Sequence, residues 1–504
     1  MPVVLPPSVR PRHGVRVVVE GFTYLPVGRE LIAVTCPEAA LRVGPTGVRS
    51  LTGADLSALD SFLADERLTL EPLAPARTTV PELALLHRVR GTERHLDELA
   101  VRLGTLPGID TAYVKPGVLP AGRGFAPGTP DLSPRQGYLG PAPGGVDARW
   151  AWSRPGGTGE GVGVVVVDAA WHLGHEGLGR KLTGIVAGTP LDDPAWRNHG
   201  THTLGVIGGD RTGSGITGIA PGALTAAAAF PGIGTARAVL AAADRLPPGG
   251  IVLLPLHRPG PRHGWAARDD QRGCLPLEWW PDDHAAVRHA TAKGVLVVAA
   301  AGNGGEGLDD ALYEVRPDGF PAWWRNPLRH PSRHPSPRAD SGAVLVGAGA
   351  PPPGTHGRDH GPDRSRLAFS NHGGRVDAQG WGHEVTTTGG RWDGGPGELR
   401  GGPDEARWYT DVFCGTSAAA AVVAGALACV QGLLRGAGRE SLTPGEARVL
   451  LRGTGAEPPK EGGRIGNRPD LRAVAVALGL GVGVGVGVGP VAVSGAPVGR
   501  CGMR

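Results

Sequence analysis

Short apolar runs alternate with longer mixed segments between residues 146 and 478. Residues 163–167 and 296–301 are uninterrupted, with the length expected of strands that are buried on both faces. Residues 235–246 and 282–293 are longer and mix polar with apolar positions, as surface helices do. Further runs of strand length are residues 224–230, 251–256 and 343–348. This alternation predicts a parallel sheet with helices on both faces.

The longest apolar stretch, residues 418–434, is rich in alanine, valine and leucine and predicts a buried helix. His199 opens a shorter stretch of small and apolar residues, 199–208, which predicts a second buried helix. Segments 304–339 and 351–366 are polar and proline-rich, so we expect surface loops or inserts in a substrate cleft.

The pattern differs on either side of this region. Residues 1–125 predict a small α+β region. Its strand-like and helix-like segments are residues 15–20, 31–35, 55–67 and 93–103. Residues 126–145 are rich in glycine and proline and predict a linker. Glycine and valine alternate after Gly479, so residues 479–504 predict a low-complexity tail.

The composition fits a folded protein of more than one unit. The chain has 504 residues, too many for one compact core. Its 51 basic and 47 acidic residues give a net charge of +4 and are interspersed, which predicts no nucleic-acid surface. No apolar run reaches the length of about 18 residues that a membrane span needs. The oligomeric state is left open.

The cysteines and the N-terminus bear on the cellular compartment. Five scattered cysteines lack both an even count and metal-ligand spacing, so no disulfide framework is predicted. Cys414 is expected to be a buried, inert thiol. The first residues lack a charged segment followed by an apolar core, as a signal peptide would have. The sequence as written predicts a cytoplasmic protein, or a secreted one if the start site is misassigned.

Polar residues with catalytic chemistry follow the predicted strands. Asp168 follows the first run, and Asn303 follows the run at residues 296–301. Ligands of open α/β sheets bind outside the carboxyl ends of the strands, so we expect both side chains near one site. A serine hydroxyl needs a base, which an imidazole supplies, and a carboxylate fixes the imidazole tautomer. Ser417, His199 and Asp168 supply these groups.

Acyl transfer also needs donors for the oxyanion that forms on the substrate carbonyl. The side-chain amide of Asn303 is one candidate donor. Ser417 lies at the start of a predicted helix, where backbone N–H groups are free and the helix dipole is positive. Its own N–H is therefore the second candidate. Together these residues predict serine-type acyl transfer.

The surrounding motifs resemble those of subtilisin-like serine proteases, the subtilases. The matching motifs are His199-Gly-Thr-His202, Ala300-Ala-Gly-Asn303 and Gly415-Thr-Ser417, followed by Gly425. The order Asp, His, Ser is that of subtilisin. The resemblance covers residues 146–478 and implies a three-layer α/β/α fold with a mostly parallel central sheet. It implies a serine endopeptidase that cleaves peptide or protein substrates through an acyl-enzyme.

The resemblance also implies which residues line the substrate pocket. This sequence departs from the family motifs at two places. The implied lining residues are Leu256, His257, Ala300, Ala301 and Gly302. The family's Asp-Thr-Gly or Asp-Ser-Gly motif is Asp168-Ala-Ala here, which removes a hydroxyl that supports the turn. The family's Ser-Leu-Gly strand end is Pro255-Leu-His257, and an imidazole in place of glycine narrows or reshapes the pocket.

The sequence leaves one other function open and argues against another. The departures allow a catalytically weak peptide-binding or scaffold protein on the same fold. A lipase or esterase of the α/β-hydrolase type needs Gly-x-Ser-x-Gly, but Ala419 stands two residues after Ser417. Residues 96–114 resemble the helix–turn–strand at the end of a subtilase propeptide. The alternative for residues 1–125 is a domain with no inhibitory role.

No cofactor is predicted. Histidines in the predicted loops have loose spacing and are expected to be solvated: His330, His334, His356 and His360. His199 and His202 lack the glutamate that a zinc protease helix requires. Asp309 and Asp310 form a single acidic pair, so structural calcium is left open.

Overall fold

The computed structural model describes residues 17–19, 22–24, 30–44, 47–73, 81–92, 95–115, 128–330, 332 and 339–480. The predicted tail lies almost wholly outside the described residues, as do His334 and Cys501. The chain divides into two compact units, Met1–Gly128 and Thr129–Arg504.

The first unit is an α+β unit built on an antiparallel sheet. Its strands are β1 (Val17–Val19), β2 (Phe22–Tyr24), β3 (Glu30–Thr35), β4 (Leu41–Gly44), β5 (Gly47–Ser50), β6 (Thr69–Pro72), β7 (Leu86–Arg90) and β8 (Ile109–Lys115), and its helices are α1 (Ser57–Asp65) and α2 (Leu96–Leu103). The largest sheet has the order β6-β7-β3-β8. Leu31, Leu59 and Leu103 are buried between this sheet and the helices. The predicted helix–turn–strand is therefore present as α2 and β8.

The second unit contains the parallel sheet. Its strands are β9 (Gly163–Asp168), β10 (Leu182–Ala187), β11 (Leu224–Ala229), β12 (Ile251–Leu254), β13 (His257–Pro259), β14 (Cys274–Pro276), β15 (Leu296–Ala300), β16 (Val344–Gly349), β17 (Ala378–Trp381), β18 (Val385–Thr388) and β19 (Tyr409–Phe413). Its helices are α3 (Ala148–Ala151), α4 (Pro194–Gly208), α5 (Thr235–Arg245), α6 (Pro281–Ala292), α7 (Gly415–Gly436), α8 (Pro444–Gly453) and α9 (Leu471–Ala477).

Seven strands form one sheet in the order β10-β11-β9-β12-β15-β16-β17, and every neighbouring pair is parallel. Successive residues of each strand point to opposite faces. Val164 and Val166 pack in the core that includes α4 and α7, whereas Val165 and Val167 pack in the core that includes α5 and α6. The predicted three-layer α/β/α fold is confirmed.

Helix α7 is the central helix of one layer. It contacts β12, β15, β16 and β17, and 94% of its most apolar window is buried inside the unit. It is the one helix among the described residues that is long and apolar enough to cross a membrane, and its burial identifies it as a core helix. Gly425 allows close packing, because an added Cβ would lie 2.8 Å from Ile219 Cβ.

The end of the predicted linker differs from expectation. Tyr138 and Leu139 are fully buried in the core that contains α7. The Tyr138 hydroxyl donates to Thr386 O at 2.8 Å. These apolar side chains bring the segment into the second unit, although its glycines and prolines favour a linker.

A buried ionic network joins the far end of the sheet to α8. Arg375 is fully buried and lies 2.9 Å from Glu278 Oε1 and 2.6 Å from Asp377 Oδ2. Asp377 also accepts the Leu345 N–H at 2.9 Å. Burial alone would raise the pKa of Asp377, but the guanidinium groups of Arg448 and Arg375 hold it below its ordinary value. The carboxylates therefore depend on their arginine partners.

Arg375→Met should lower the free energy of unfolding of the second unit by about 3–5 kcal/mol, because it leaves Glu278 and Asp377 buried without Arg375. Arg245→Met at the exposed end of α5 is the control, with an expected change within about 0.5 kcal/mol. Urea unfolding followed by tryptophan fluorescence reports on this unit, since all 12 tryptophans lie in it. Equal stability of the two variants would contradict the assigned role of Arg375.

Candidate active site

Asp168 and His199 form a buried pair at the carboxyl end of β9. His199 Nδ1 lies 2.7 Å from Asp168 Oδ2, and Asp168 is fully buried. The Ala169 N–H donates to the other carboxylate oxygen, Asp168 Oδ1, at 2.8 Å. The backbone therefore supplies a hydrogen bond to the carboxylate in a turn that lacks the family hydroxyl.

His199 lies inside α4, not at its start. The helix begins five residues earlier at Pro194, and Asp193 caps it by accepting the Trp196 N–H at 2.9 Å. An aspartate followed by a proline is a typical helix start, so the sequence carried this signal. Two threonines of β18 then fix α4: Thr387 Oγ1 donates to His202 O and Thr388 Oγ1 donates to Thr201 O.

Three aromatic rings surround the imidazole of His199. Trp196, Trp392 and Phe413 each meet it edge-on, with ring centroids at 6.0, 5.6 and 6.0 Å. Trp392 is 57% exposed, so its ring forms the outer wall. Asn198 holds the segment before Trp392, because its Nδ2 donates to Arg391 O at 2.9 Å. The sequence carries no signal for this wall, since no local pattern indicates that a tryptophan in a polar loop contacts a distant histidine.

Ser417 is the third residue of α7 and lines the same cavity as His199. Its hydroxyl donates to Pro255 O, just after β12, at 2.9 Å. The preceding residue, Thr416, donates from its N–H to Asn303 Oδ1, after β15, at 2.9 Å. The Gly415 N–H donates to Gly382 O, after β17, at 2.9 Å. Three consecutive residues of α7 thus bind three different strand ends.

Protein groups bind both the oxygen and the nitrogen of the Asn303 side-chain amide. Its Oδ1 accepts from both the N–H and the hydroxyl of Thr416, at 2.9 and 2.8 Å. Its Nδ2 donates to Gln271 Oε1 at 2.9 Å. Its backbone N–H donates to His257 Nδ1 at 3.1 Å. The amide therefore lies beside the N-terminus of α7, where we expect an oxyanion donor.

His257 acts as a link between two loops. By accepting from the Asn303 N–H, its Nδ1 joins the segment after β12 to the segment after β15. Burial lowers the pKa of His257 to about 4, and the nearby His199 adds a smaller contribution in the same direction. The imidazole is therefore neutral at neutral pH, as its acceptor role requires.

The cavity has a volume of about 210 Å³ and is lined by most of the predicted site residues. His199, Leu256, His257, Ala300, Asn303 and Ser417 all lie on its wall. Ala301 and Gly302 lie behind this wall: Ala301 is fully buried, and Gly302 donates from its N–H to Thr416 Oγ1 at 3.2 Å. Both instead hold the loop that positions Asn303.

Cys414 and two loop histidines differ from expectation. Cys414 is exposed and lines the cavity beside Ser417. His356 and His360 both pair with the protein, because a ring nitrogen of each lies 3.3 and 2.9 Å, respectively, from a carboxylate oxygen of Glu384. Glu384 is only 3% exposed, and a buried carboxylate needs donors, which this loop supplies.

The acidic pair considered for calcium is already engaged by the protein. Asp309 Oδ2 accepts the Gly374 N–H at 2.8 Å. Asp310 pairs with Arg262 and caps a short turn by accepting the Leu312 N–H. Among the residues that the structure describes, no group of three or more His, Cys, Asp or Glu side chains is arranged to hold a metal ion.

Part of the chain is similar to a known protein family and to a characterised protease. Residues 271–467 match the model of the Subtilase family, a range that includes Asn303 and Ser417. An intracellular serine protease of Paenibacillus polymyxa is 26% identical over 324 residues, covering 61% of this chain and 77% of that protein.

Two solved structures are also similar. A cold-adapted subtilisin-like serine proteinase is 21% identical, covers 62% of this chain and 89% of its own, and has a TM-score of 0.40. A protease of Pseudoalteromonas arctica is 18% identical, covers 69% and 99%, and has a TM-score of 0.46.

The neutral His257 predicts acid destabilisation. Its folded pKa of about 4 lies below its ordinary value of 6.5, so the unfolded chain binds the proton more tightly. Stability is therefore lost as pH falls between these values, by about 1.4 kcal/mol per pH unit. His257→Gln retains an acceptor for the Asn303 N–H without titrating, so its stability should fall less steeply.

Urea unfolding of both proteins across this range measures the difference in slope. Above about pH 7.5 both side chains are neutral, so the difference in stability should be constant there. A difference that stays constant down to about pH 4 would contradict the account of His257.

Proposed function

We propose that this chain is a subtilisin-like serine endopeptidase of the subtilase family, in which Asp168, His199 and Ser417 form the catalytic triad. The match of residues 271–467 to the Subtilase family model and the similarity to a serine protease support the family. The enzyme hydrolyses peptide bonds in two steps through an acyl-enzyme on Ser417. Its substrates are peptides or proteins.

The buried contact between His199 Nδ1 and Asp168 Oδ2, at 2.7 Å, supports this assignment most strongly. A carboxylate at Nδ1 fixes the tautomer that leaves Nε2 free to accept a proton. The imidazole of His199 and the side chain of Ser417, near the start of α7, line the same cavity. A base oriented by a carboxylate, beside a serine at a helix N-terminus, is the arrangement that serine acyl transfer requires.

The reaction begins when the Ser417 hydroxyl leaves Pro255 O and turns to His199 Nε2. A rotation about one side-chain bond moves this hydroxyl, while the backbone of α7 stays on the strand ends. His199 accepts the proton as Ser417 Oγ attacks the substrate carbonyl, and Asp168 stabilises the imidazolium. His199 then donates the proton to the leaving amine. Water attacks the acyl-enzyme by the reverse proton transfers and frees Ser417.

The side-chain amide of Asn303 and the N–H of Ser417 bind the oxyanion. The Ser417 N–H lies in the first turn of α7, where no carbonyl of the helix accepts it. Thr416 holds Asn303 Oδ1, so the Nδ2 end of the amide faces away from this anchor. Both donors are in place before the charge develops, which is the condition for effective electrostatic stabilisation.

The lining of the cavity indicates the size of the substrate pocket. Leu256, His257 and Ala300 line the cavity, and His257 occupies space that glycine leaves open in the family. We therefore propose a narrower primary pocket than that of a broad-specificity relative.

The Paenibacillus polymyxa relative is named an intracellular protease, which is consistent with the cytoplasmic location predicted from this sequence.

Ser417→Ala should abolish covalent labelling by a fluorophosphonate, because the phosphorus bonds to the nucleophilic oxygen. Mass spectrometry of the intact protein and of its peptides measures the adduct and its position. Ser370→Ala, which removes a buried serine outside the cavity, is the control and should still be labelled. Labelling that persists in Ser417→Ala rejects the nucleophile. Absence of both labelling and a burst from an activated ester in the wild type would favour the weak scaffold instead.

Asn303→Ala should lower kcat by about 10²- to 10³-fold with little change in KM, because the amide binds charge that exists only in the transition state. This magnitude is the one known for the corresponding removal in subtilisin. Asn326→Ala is the control, since Asn326 is buried outside the cavity and bonds to Glu314. An unchanged kcat in Asn303→Ala would remove Asn303 from the oxyanion site.

A further inference from the structure

Gln271 lines the cavity, yet the proposed triad and oxyanion donors leave it without a function. It lies in the connection between β13 and β14, and its φ of +56° is in the left-handed region. The Gln271 N–H donates to Arg268 O at 3.0 Å, and Gln271 O accepts the Cys274 N–H at 3.1 Å. A non-glycine residue in this conformation costs energy, so the turn is held by its surroundings.

The side chain of Gln271 reaches across to Asn303. Gln271 Oε1 accepts from Asn303 Nδ2 at 2.9 Å. A carboxamide nitrogen has two N–H groups. One of them is used by Gln271, and the other remains for the cavity. Because Thr416 already occupies Asn303 Oδ1, every direction of the amide except this second N–H is fixed by the protein.

The chemistry of the contact requires glutamine to present its oxygen. If the Gln271 amide were reversed, two NH₂ groups would face each other, and neither could accept. A neutral acceptor is also the better choice electrostatically. It holds the donor without placing a negative charge beside the position where the oxyanion forms.

The β13–β14 connection is packed tightly enough to make this contact stiff. An added Cβ at Gly304 would lie 2.3 Å from Cys274 O, so the backbone after Asn303 lies directly against the start of β14. Asn371 Nδ2 donates both to Cys274 O at 2.8 Å and to Ala301 O at 2.7 Å, which joins the same two segments. The β13–β14 connection and the segment around Asn303 are therefore held together, so the distance between Gln271 and Asn303 can change very little.

We propose that Gln271 is a positioning residue for the oxyanion site: it holds one N–H of the Asn303 amide so that the other is aimed at the substrate carbonyl. This inference rests on the proposed function, in which Asn303 binds the oxyanion. Gln271 touches neither the nucleophile nor the reacting carbonyl. Its effect passes through Asn303, so it should vanish when the Asn303 amide is absent.

The test is a double-mutant cycle of Gln271→Ala and Asn303→Ala, measured on a peptide substrate. Alone, Gln271→Ala should lower kcat by about three- to tenfold, the worth of one neutral hydrogen bond, with KM nearly unchanged. In the Asn303→Ala background the same substitution should have no further effect. Active-site titration with a fluorophosphonate corrects each kcat for the fraction of folded enzyme.

A second variant separates charge from geometry. Gln271→Glu keeps an oxygen acceptor but adds a negative charge near the oxyanion, so its kcat should lie about tenfold below that of Gln271→Ala. It should also weaken binding of a peptide aldehyde more than binding of the peptide product, because only the aldehyde adduct forms an oxyanion. Arg272→Ala in the same turn is the control, since Arg272 is exposed, and it should behave as wild type.

Two outcomes would overturn the role of Gln271. An equal loss of kcat in both backgrounds of the cycle would show that Gln271 merely supports the β13–β14 connection. A rise in kcat on Gln271→Ala would show that Gln271 withholds the amide from the substrate. Either result leaves the triad intact as long as Ser417 is labelled, so failure of this inference differs from failure of the proposed function.

Discussion

The attachment of the first turn of α7 to the ends of the parallel strands is the constraint on which the site depends. Gly415, Thr416 and Ser417 bind, in that order, to the segments after β17, β15 and β12. These bonds satisfy polar groups that a buried helix start would otherwise leave without partners. The bonds of Gly415 and Thr416 also fix the backbone at the start of α7, and with it the direction of the Ser417 N–H, while the Ser417 hydroxyl stays free to turn from Pro255 O to His199.

The base is positioned from the opposite side by a second set of contacts. Helix α4 is held to β18 by Thr387 and Thr388, and β18 pairs with β19, which leads into α7. His199 and Ser417 are thus carried by elements that are joined through one short antiparallel pair. The aromatic rings around His199 exclude water from its edges, and Asp168 is buried beneath it. Low exposure strengthens each of these polar contacts.

The sequence predicted what depends on local pattern and missed what depends on distant packing. The sheet was predictable because short valine runs such as 163–167 are typical of strands that are covered on both faces. In the structure, alternate valines of this run pack in the two cores. The segment containing Tyr138 has the glycines and prolines of a linker, and its two apolar side chains, Tyr138 and Leu139, are too few to form a periodic pattern. The interaction of Gln271 with Asn303 and the wall formed by Trp392 join residues that are far apart in the chain, in loops with no periodic pattern. His257 was expected only to fill space, since its bond to a backbone N–H has no signature in sequence.

A crystal structure of the enzyme with a peptidyl boronic acid tests the central claim most directly, because the tetrahedral boronate imitates the reaction intermediate. The account predicts boron bonded to Ser417 Oγ, one boronate oxygen about 3 Å from both Asn303 Nδ2 and the Ser417 N, and Asn303 still bound to Gln271. Boron bonded to another residue, or an Asn303 amide turned away from the boronate, would contradict it.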